Sequence, residues 1–467
     1  MIKKFSLQNS ILNNLKILMR CAIPAVICLS GCYSENADVS PKESPANSQP
    51  AAIRVSGLEI NASEPALAAD KNGNVYSVYV EHNDDKSADV HLHKFDSSGK
   101  AVGEKVRVNP EKGQVKTWFG DPPTIQVGKD GAVYIGWTAK FKNKEKPNAN
   151  VLYLSVSRDG GASFAAPVQV NDDAAPAAHG MHSLAIAGDN HVYLAWLDER
   201  NLNVEQHAEN YTGENQSVVE PQFQFIKAQH NSNHNNAAKT AKPTVKKEIT
   251  EPNSEIFYAV SSDGGRTFAP NKKLASEVCP CCKTHLLAAP DGKIYVSWRQ
   301  VLPDDYRHIA VSALTDGGNN FSAPVIVSDD RWQISACPVS GAPLAMSADK
   351  NLKIAWFTAG TAGKQGVYWA ESKDGGKTFA ARVLISENAV GGTPIFLSEG
   401  NNNQIVWAEG GKILTAKLET GKLLEESRRE INEAELPAAV FGKGQIHISY
   451  VKKNSEQRSV WFASLRK

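Results

Sequence analysis

The chain has 467 residues, of which 41% are hydrophobic and 22% are charged, and its formal net charge is +1. This length is enough to bury a large core and, taken alone, favours two or three domains. A net charge so close to zero gives no indication of a nucleic-acid partner or of a membrane surface bound through charge.

The N-terminal segment has the pattern of a targeting sequence. A basic stretch precedes the apolar run 21–30, which is too short to span a bilayer. The run ends in the letters LSGC at 29–32, which resemble the lipobox of bacterial lipoproteins. The resemblance implies a lipoprotein signal peptide at 1–31 and a lipidated Cys32. No Asp follows Cys32 at the second mature position, so an outer-membrane lipoprotein facing the periplasm or the cell surface is expected. The alternative is an ordinary secretory signal that contains a cysteine.

Two further segments are too polar to bury a core. Residues 32–51 are rich in Ser, Pro, Asn and Glu and predict a flexible tether. Residues 201–253 are rich in Asn, Gln, Lys and His and predict a disordered insertion. The folded part is therefore expected at 52–467, interrupted by this insertion.

A short motif recurs in the folded part, with the pattern Ser-x-Asp-x-Gly-x-Ser/Thr-Phe. It occurs as SRDGGASF, SSDGGRTF and SKDGGKTF, and as LTDGGNNF, which departs from the pattern at Leu314 and Asn320. Each Asp can accept hydrogen bonds from its own turn, and the glycines adopt backbone angles closed to other residues. The motif resembles the Asp-box, or BNR repeat, of the sialidase superfamily. Its aspartates are Asp159, Asp263, Asp316 and Asp374.

Short alternating strands recur around an aromatic residue, as in AVYIGW, HVYLAW and KIYVSW, with a further strand before each and two after. Four strands in units of about 50 residues predict an all-β fold, a β-propeller of four-stranded blades. Seven such units are counted, which predicts seven blades, and the alternative is six blades, as in the catalytic sialidases that the repeat resembles. The last unit has three clear strands, so a strand within 53–60 is expected to complete that blade and close the ring.

The resemblance implies that the Asp-boxes are structural and lie opposite the functional face. On that face the loops before the first strands of consecutive blades carry sulfur and imidazole groups. These residues are Cys279, Cys281, Cys282, Cys337, His285, His179, Met181 and His182. Such soft or borderline ligands suit copper or zinc, so a metal site at the channel mouth is one hypothesis. Structural disulfides that join blades four and five, a vicinal Cys281–Cys282 bridge, and free thiols are the alternatives.

Sialidases hold the substrate carboxylate with three arginines, the first in an Arg-Ile-Pro motif. Arg54 and Arg107 are the early candidates here, and neither is followed by Ile-Pro. No Tyr–Glu nucleophile pair is identified, and no catalytic residue is assigned. Residues expected on the functional face could still bind a ligand, or could form ordinary salt bridges. They are Arg200, Arg299, Asp198, Asp121, Trp118 and Trp332.

Three functions follow from these observations. The first is a non-catalytic envelope lipoprotein that binds a small molecule, a glycan or a soft metal ion at the channel mouth. The second is a sialidase-like glycoside hydrolase with a diverged site. The third is a scaffold that presents loops to another envelope protein.

Overall fold

The structure is a computed structural model, and it describes residues 51–116, 120–141, 149–188, 190–202, 253–315, 320–333, 339–419, 421–454 and 457–465. They belong to one compact unit, Gln49–Lys467. Several sequence predictions lie outside the described residues. They are the signal peptide at 1–31, nearly all of the tether and insertion, and the residues Cys32, Trp118, Asp316 and Cys337.

Nearly all regular structure in these ranges is β-strand, because short runs of alternating or fully apolar residues are bounded by Gly- and Asp-containing turns. In the described part of the chain, the only helical segment is a single 3-10 turn at Pro303–Asp305. The all-β prediction is confirmed. No helix among the described residues is long and apolar enough to span a membrane.

The strands come in successive groups along the chain. The first strand is β1 (Ala52–Arg54), and the next four are β2 (Asn61–Ala69), β3 (Val75–His82), β4 (Ala88–Phe95) and β5 (Ala101–Arg107). A second group contains β6 (Thr124–Val127), β7 (Val133–Lys140), β8 (Asn150–Ser157) and β9 (Val168–Gln169). The third contains β10 (His179–Ile186), β11 (Val192–Asp198), β12 (Ser254–Ser261) and β13 (Lys272–Val278). The fourth contains β14 (His285–Ala288), β15 (Ile294–Val301), β16 (Arg307–Thr315), β17 (Asn320–Phe321) and β18 (Val325–Ile326).

The remaining strands form three more groups. One contains β19 (Leu344–Met346), β20 (Leu352–Thr358), β21 (Gly366–Ser372) and β22 (Val383–Ser386). The next contains β23 (Ile395–Glu399), β24 (Asn402–Glu409), β25 (Lys412–Glu419) and β26 (Lys422–Asn432). The last contains β27 (Glu435–Gly442), β28 (Gln445–Lys453) and β29 (Arg458–Leu465).

Within each group, neighbouring strands pair antiparallel, and five of the resulting sheets have four strands. The third and fourth groups differ from the predicted separate units, since they share one nine-stranded sheet. A single residue pair joins them, Val278 in β13 with Gln300 in β15. The join arises because β13 continues until it reaches β15, immediately before the cysteine-rich turn.

The two ends of the described chain meet in one sheet. Strand β1 pairs antiparallel with β29, with Ile53 opposite Phe462. The N-terminal strand therefore supplies the fourth strand of the sheet that β27, β28 and β29 begin.

The hydrophobic core is divided into clusters between successive sheets. In one cluster, Val90 and Leu92 of β4 pack with Ile135 and Trp137 of β7. The cluster between the last and first sheets contains Phe462, which stacks on Phe95 with ring centroids 3.9 Å apart. Central strands such as β3, β7 and β15 are thus buried on both faces and are mostly apolar, whereas the outer strands β5, β13 and β26 are largely exposed.

The first strands of the groups lie against one another. Strand β2 contacts β6, which contacts β10, and the contacts continue through β14, β19, β23 and β27. Strand β27 in turn contacts β2. Residues of the first strands β2, β6, β10 and β14, and of segments that precede first strands, line a cavity of about 180 Å³.

Candidate functional site

The cysteine-rich turn connects β13 to β14 and is held against β15. The backbone N–H of Cys279 donates to the carbonyl of Arg299 at 3.0 Å. The side chains of Cys279, Cys281 and Cys282 are all buried, in the same apolar cluster as Val278 and Trp298. The turn therefore presents sulfur atoms to the protein interior and not to solvent.

The three sulfur atoms are grouped closely around Cys279. Its Sγ lies 3.7 Å from Sγ of Cys281 and 3.5 Å from Sγ of Cys282. All three sulfurs lie within 4.8 Å of one another. Thiolates about 2.3 Å from a shared tetrahedral metal ion are separated by about 3.8 Å, so these distances match ligands of one ion. In this structure Cys279 and Cys282 are free thiols, whereas Cys281 is disulfide-bonded.

Two arginines face the sulfur cluster. Arg307 donates from Nη1 to Sγ of Cys279 at 3.3 Å. The Arg299 side chain is only 1% exposed and stacks over the Trp332 ring at 4.8 Å. Its Nη2 donates to the carbonyl of Phe357 at 3.0 Å, while its Nε and Nη1 have no hydrogen-bond partner among the described residues. A buried cation of this kind is costly unless an anion lies close by.

The arginines shift the cluster toward an anionic state. The hydrogen bond with Cys282 and the nearby Arg299 and Arg307 guanidinium groups together outweigh burial and lower the pKa of Cys279 to about 6. Burial raises the pKa of Cys282, and the neighbouring Cys279 raises it further. In the metal-free protein, these opposite shifts favour a Cys279 thiolate beside a protonated Cys282.

Met181 is the sequence-predicted ligand that the structure brings to the same cluster. Its side chain is buried and packs with the three cysteines. Its backbone has φ of 52°, an unusual conformation for a residue other than glycine. Its carbonyl accepts hydrogen bonds from the backbone N–H of Thr284 at 3.1 Å and from Oγ1 of Thr284 at 2.9 Å. These bonds fasten β10 to the segment that follows the cysteines.

His285 and Lys283 line the cavity at the first strands, and Asp121 and His182 lie beside Lys283. Lys283 Nζ donates to Oδ1 of Asp121 at 3.1 Å, and His182 Nδ1 lies 3.6 Å from the same oxygen. Burial, together with the Lys283 charge, lowers the pKa of both His182 and His285 to about 4. Both imidazoles are therefore neutral at physiological pH. Among the described residues, the group that could hold one metal ion consists of Cys279, Cys281 and Cys282, and neither imidazole is part of it.

His179, Asp198 and Arg200 form a separate ion-pair network. Arg200 donates from Nε to Asp198 at 3.0 Å and stacks over the Phe257 ring at 4.2 Å. His179 Nε2 lies 3.0 Å from Asp173 and 3.6 Å from Asp198. Burial opposes the charged form of His179, but Asp173 and Asp198 raise its pKa. The structure thus separates His179 from Met181 and the cysteines.

The three described copies of the repeated motif have the same internal hydrogen bonds and lie between the third and fourth strands of their sheets. Asp263 accepts from the backbone N–H of Thr267 at 3.0 Å and from Oγ1 of Thr267 at 2.6 Å. The corresponding bonds form around Asp159 and Asp374. Gly265 has φ of +82°, and a Cβ atom there would lie 2.7 Å from Leu154 of the preceding sheet. The motif therefore closes a turn and packs one sheet against the next.

Three residues near these groups were missed by sequence reasoning. Arg307 is the first residue of a strand. Lys283 directly follows the letters CPCC, and its charge beside the cysteines was the sequence feature that could have indicated it. Glu64 is buried at φ of 52°, the same backbone conformation as Met181. Burial raises the pKa of Glu64, although its contact with His82 at 2.9 Å opposes this. Its position before Pro65 in a first strand was the only signal for this residue.

No protein-family model matches the sequence, and no curated protein matches it. Among solved structures, an ulvan lyase of a new polysaccharide lyase family is 11% identical, with 86% of this chain and 93% of the lyase covered and a TM-score of 0.50. The leech intramolecular trans-sialidase is 11% identical over 89% of this chain and 93% of its own, with a TM-score of 0.44. The NanB sialidase from Streptococcus pneumoniae is 12% identical over 90% of this chain and 98% of its own, with a TM-score of 0.46. At 11% identity, the likeness to the lyase concerns the fold alone.

Proposed function

We propose that this protein is a lipid-anchored, seven-bladed β-propeller of the bacterial cell envelope that binds a soft metal ion through Cys279, Cys281 and Cys282. The ring is inferred from the contacts of the first strands, which run from β2 through β27 and back to β2. The pairing of β1 with β29 supports its closure. The cell-envelope location, with the lipid on Cys32, follows from the lipobox resemblance of the sequence.

The observation that carries the metal site is the spacing of the sulfurs. Distances of 3.5 Å and 3.7 Å from Cys279 Sγ to its two neighbours are those of thiolates on one ion. Because Cys281 is disulfide-bonded in this structure, the three-thiolate form arises when an external thiol reductant supplies two electrons and two protons and opens that disulfide.

The charges around the sulfurs favour copper(I). Three thiolates on Cu(I) carry a net charge of about −2, and on Zn(II) about −1, so Arg299 and Arg307 match the copper complex. In the described part of the chain, no imidazole or carboxylate joins the three sulfurs to complete a tetrahedral zinc site. Low-coordinate sulfur sites are those that Cu(I) accepts and Zn(II) disfavours.

Sialoside hydrolysis is not part of the proposal. Arg200 is already paired with Asp198 and Asp172, and Arg299 is 1% exposed and stacked on Trp332. The fork of Arg200 is occupied by carboxylates, and the Arg299 guanidinium, although its Nε and Nη1 have no hydrogen-bond partner among the described residues, is buried away from a substrate carboxylate. An envelope protein partner is compatible with the metal site and is not needed for it.

A metal titration tests the proposal. The lipidated protein is purified in detergent, reduced, stripped with a chelator, and titrated without oxygen with Cu(I) against a colorimetric Cu(I) chelator. We expect one copper ion per chain, and loss of that ion in the Cys279→Ser, Cys282→Ser double variant. The control is Met346→Leu, which changes a sulfur residue in β19 and should keep full binding. Binding by the double variant equal to that of the wild type would overturn the site.

A parallel titration with Zn(II) tests which metal the site prefers. We expect Zn(II) to bind more weakly than Cu(I) under the same competition. A chain that retains Zn(II) and releases Cu(I) would contradict the copper assignment and leave the sulfur site standing.

A further inference from the structure

The cysteine turn contains two free thiols and one disulfide sulfur in direct contact. Cys279 and Cys282 have the Cys-x-x-Cys spacing, and their sulfurs lie 3.5 Å apart. The same Cys279 sulfur lies 3.7 Å from the disulfide-bonded Cys281. Cys279 is therefore within van der Waals distance of both a disulfide that it can attack and a thiol that can then attack it.

We propose that this cluster is a thiol–disulfide exchange centre in which the Cys279/Cys282 dithiol reduces the disulfide of Cys281. The proposal is independent of the metal site. It concerns the metal-free protein and assigns Cys279 as the sulfur shared by both steps.

In the first step, the Cys279 thiolate attacks Sγ of Cys281. A Cys279–Cys281 bond forms, the existing disulfide breaks, and the sulfur that was bonded to Cys281 leaves as a thiolate. In the second step, the Cys282 thiolate attacks Sγ of Cys279, forms the Cys279–Cys282 disulfide and releases the Cys281 thiolate. The two protons lost by Cys279 and Cys282 are taken up by the two released sulfurs. The atoms and electrons balance within the chain, so no external oxidant or reductant is required.

The surroundings of Cys279 suit the attacking sulfur. Arg307 donates to it from Nη1 at 3.3 Å, and a cation beside a thiolate stabilises the nucleophile. The side chains of Cys279 and Cys282 are 0% exposed, and Cys281 is 8% exposed. Large protein thiols therefore have no direct access, which favours exchange within the cluster over exchange with a partner.

The exchange would also set how many of the three cysteines remain as thiolates before full reduction, a consequence that rests on the proposed metal site. In the form with a Cys279–Cys282 disulfide, only Cys281 remains able to bind a metal ion. In the form with the original Cys281 disulfide, Cys279 and Cys282 both remain able to bind one. Only full reduction gives all three ligands, so the exchange selects between two forms with different residual affinity.

Disulfide mapping of the metal-free protein tests the proposal. The protein is purified without reductant, treated with chelator, quenched with acid, alkylated at low pH and digested with trypsin. Trypsin releases residues 274–283 as one peptide that carries all three cysteines. The Cys281 disulfide links this peptide to a second one and leaves two alkylated cysteines. The exchanged form is a single peptide with an internal bond and one alkylated cysteine.

We expect both forms from the wild type, with the single-peptide form increasing when the protein is held at pH 8 before the quench. The Cys279→Ser variant should give only the linked form, and Cys282→Ser should accumulate a Cys279–Cys281 bond. A wild type that gives only the linked peptide at every incubation time would overturn the exchange. That result would leave the copper titration of the reduced protein unaffected, so the two proposals can fail separately.

Discussion

Nη1 of Arg307 lies 3.3 Å from Sγ of Cys279, and this contact links a strand end to the cysteine turn. The second guanidinium, that of Arg299, reaches the cluster from β15 and has no carboxylate among its described hydrogen-bond partners. Arg307 also pairs with Asp305, at 2.9 Å, but that carboxylate is half exposed and its charge is screened by solvent. Arg307 and Arg299 thus place positive charge near the sulfur cluster, which favours a thiolate or an anionic metal–thiolate complex over neutral ligands.

Replacing Arg299 should weaken metal binding more than it weakens the fold. In Arg299→Gln, the buried positive charge is lost, and we expect the Cu(I) affinity of the reduced protein to fall about tenfold, a change of about 1.4 kcal/mol. Competition titration measures the affinity, and thermal melting of the metal-free protein measures the fold. The matched control is Arg428→Gln, which removes another arginine stacked over a tryptophan, Trp407 at 5.4 Å. Equal affinities in Arg299→Gln and wild type would exclude a charge role.

The ion pair between His179 and Asp173 should make stability depend on pH in acid. Burial opposes ionisation of Asp173, but the hydrogen bond and charge of His179 lower its pKa to about 2, from 3.8. Because the folded-state pKa is depressed, the stabilisation is fully present above about pH 4 and is lost as the pH falls through about 2. Its size is about 2 kcal/mol.

Urea unfolding of Asp173→Asn between pH 2 and pH 7 checks this expectation. The variant should be about 2 kcal/mol less stable at pH 6 and should lose less stability than the wild type between pH 4 and pH 2. Asp291→Asn, at an exposed turn, serves as the control and should follow the wild-type curve. If the free energy of unfolding depends on pH in the same way in Asp173→Asn and in the wild type, this ion pair does not cause the loss of stability in acid.

The repeated motif should contribute to stability through the packing of neighbouring sheets. Gly265 and Gly292 have similar φ values, +82° and +86°, but a Cβ atom meets Leu154 at 2.7 Å only at Gly265. Both substitutions to Ala incur the backbone cost, about 1 kcal/mol. Gly265→Ala should cost about 1–3 kcal/mol more because Leu154 must shift. Chemical denaturation measures the difference, and equal losses in the two variants would show that the contact adds nothing.

The lipid anchor is tested by Cys32→Ser. If Cys32 is the first mature residue, this change should abolish incorporation of labelled fatty acid and move the protein from the membrane fraction to the soluble fraction. The control is Cys28→Ser, within the segment expected to be removed, which should leave both properties unchanged. Fatty acid retained by Cys32→Ser would place the anchor elsewhere.

The strand pattern was readable from the sequence because each strand depends mainly on local alternation and on the turn that follows it. AVYIGW became β7 and KIYVSW became β15, each with its Trp fully buried between sheets. The join between β13 and β15 was not readable, because it depends on one long-range pair, Val278 with Gln300. Local patterning does not specify such a pair.

The candidate site was predicted only in part. The cysteines and Met181 were expected together and lie in one cluster, whereas His179 was expected there and pairs with Asp173 and Asp198. Two residues apart in the chain, Met181 and His179 point to different surroundings because a bulge at Gly180–Ser183 interrupts the register of β10 with β11. A one-residue bulge changes the face of the sheet on which the following side chains lie, and the local sequence pattern did not predict this bulge.

The amino-acid sequence by itself determined the all-β character, the repeated turns and the presence of a cysteine-rich segment between two strands. These features arise from interactions within about ten residues, which the local order of residues fixes. Only the tertiary structure decided that Arg299 and Arg307 face the sulfurs and that Arg200 and His179 are held by carboxylates. Those pairings join residues from different strands and sheets, so their geometry depends on how the sheets pack and not on the order of residues along the chain.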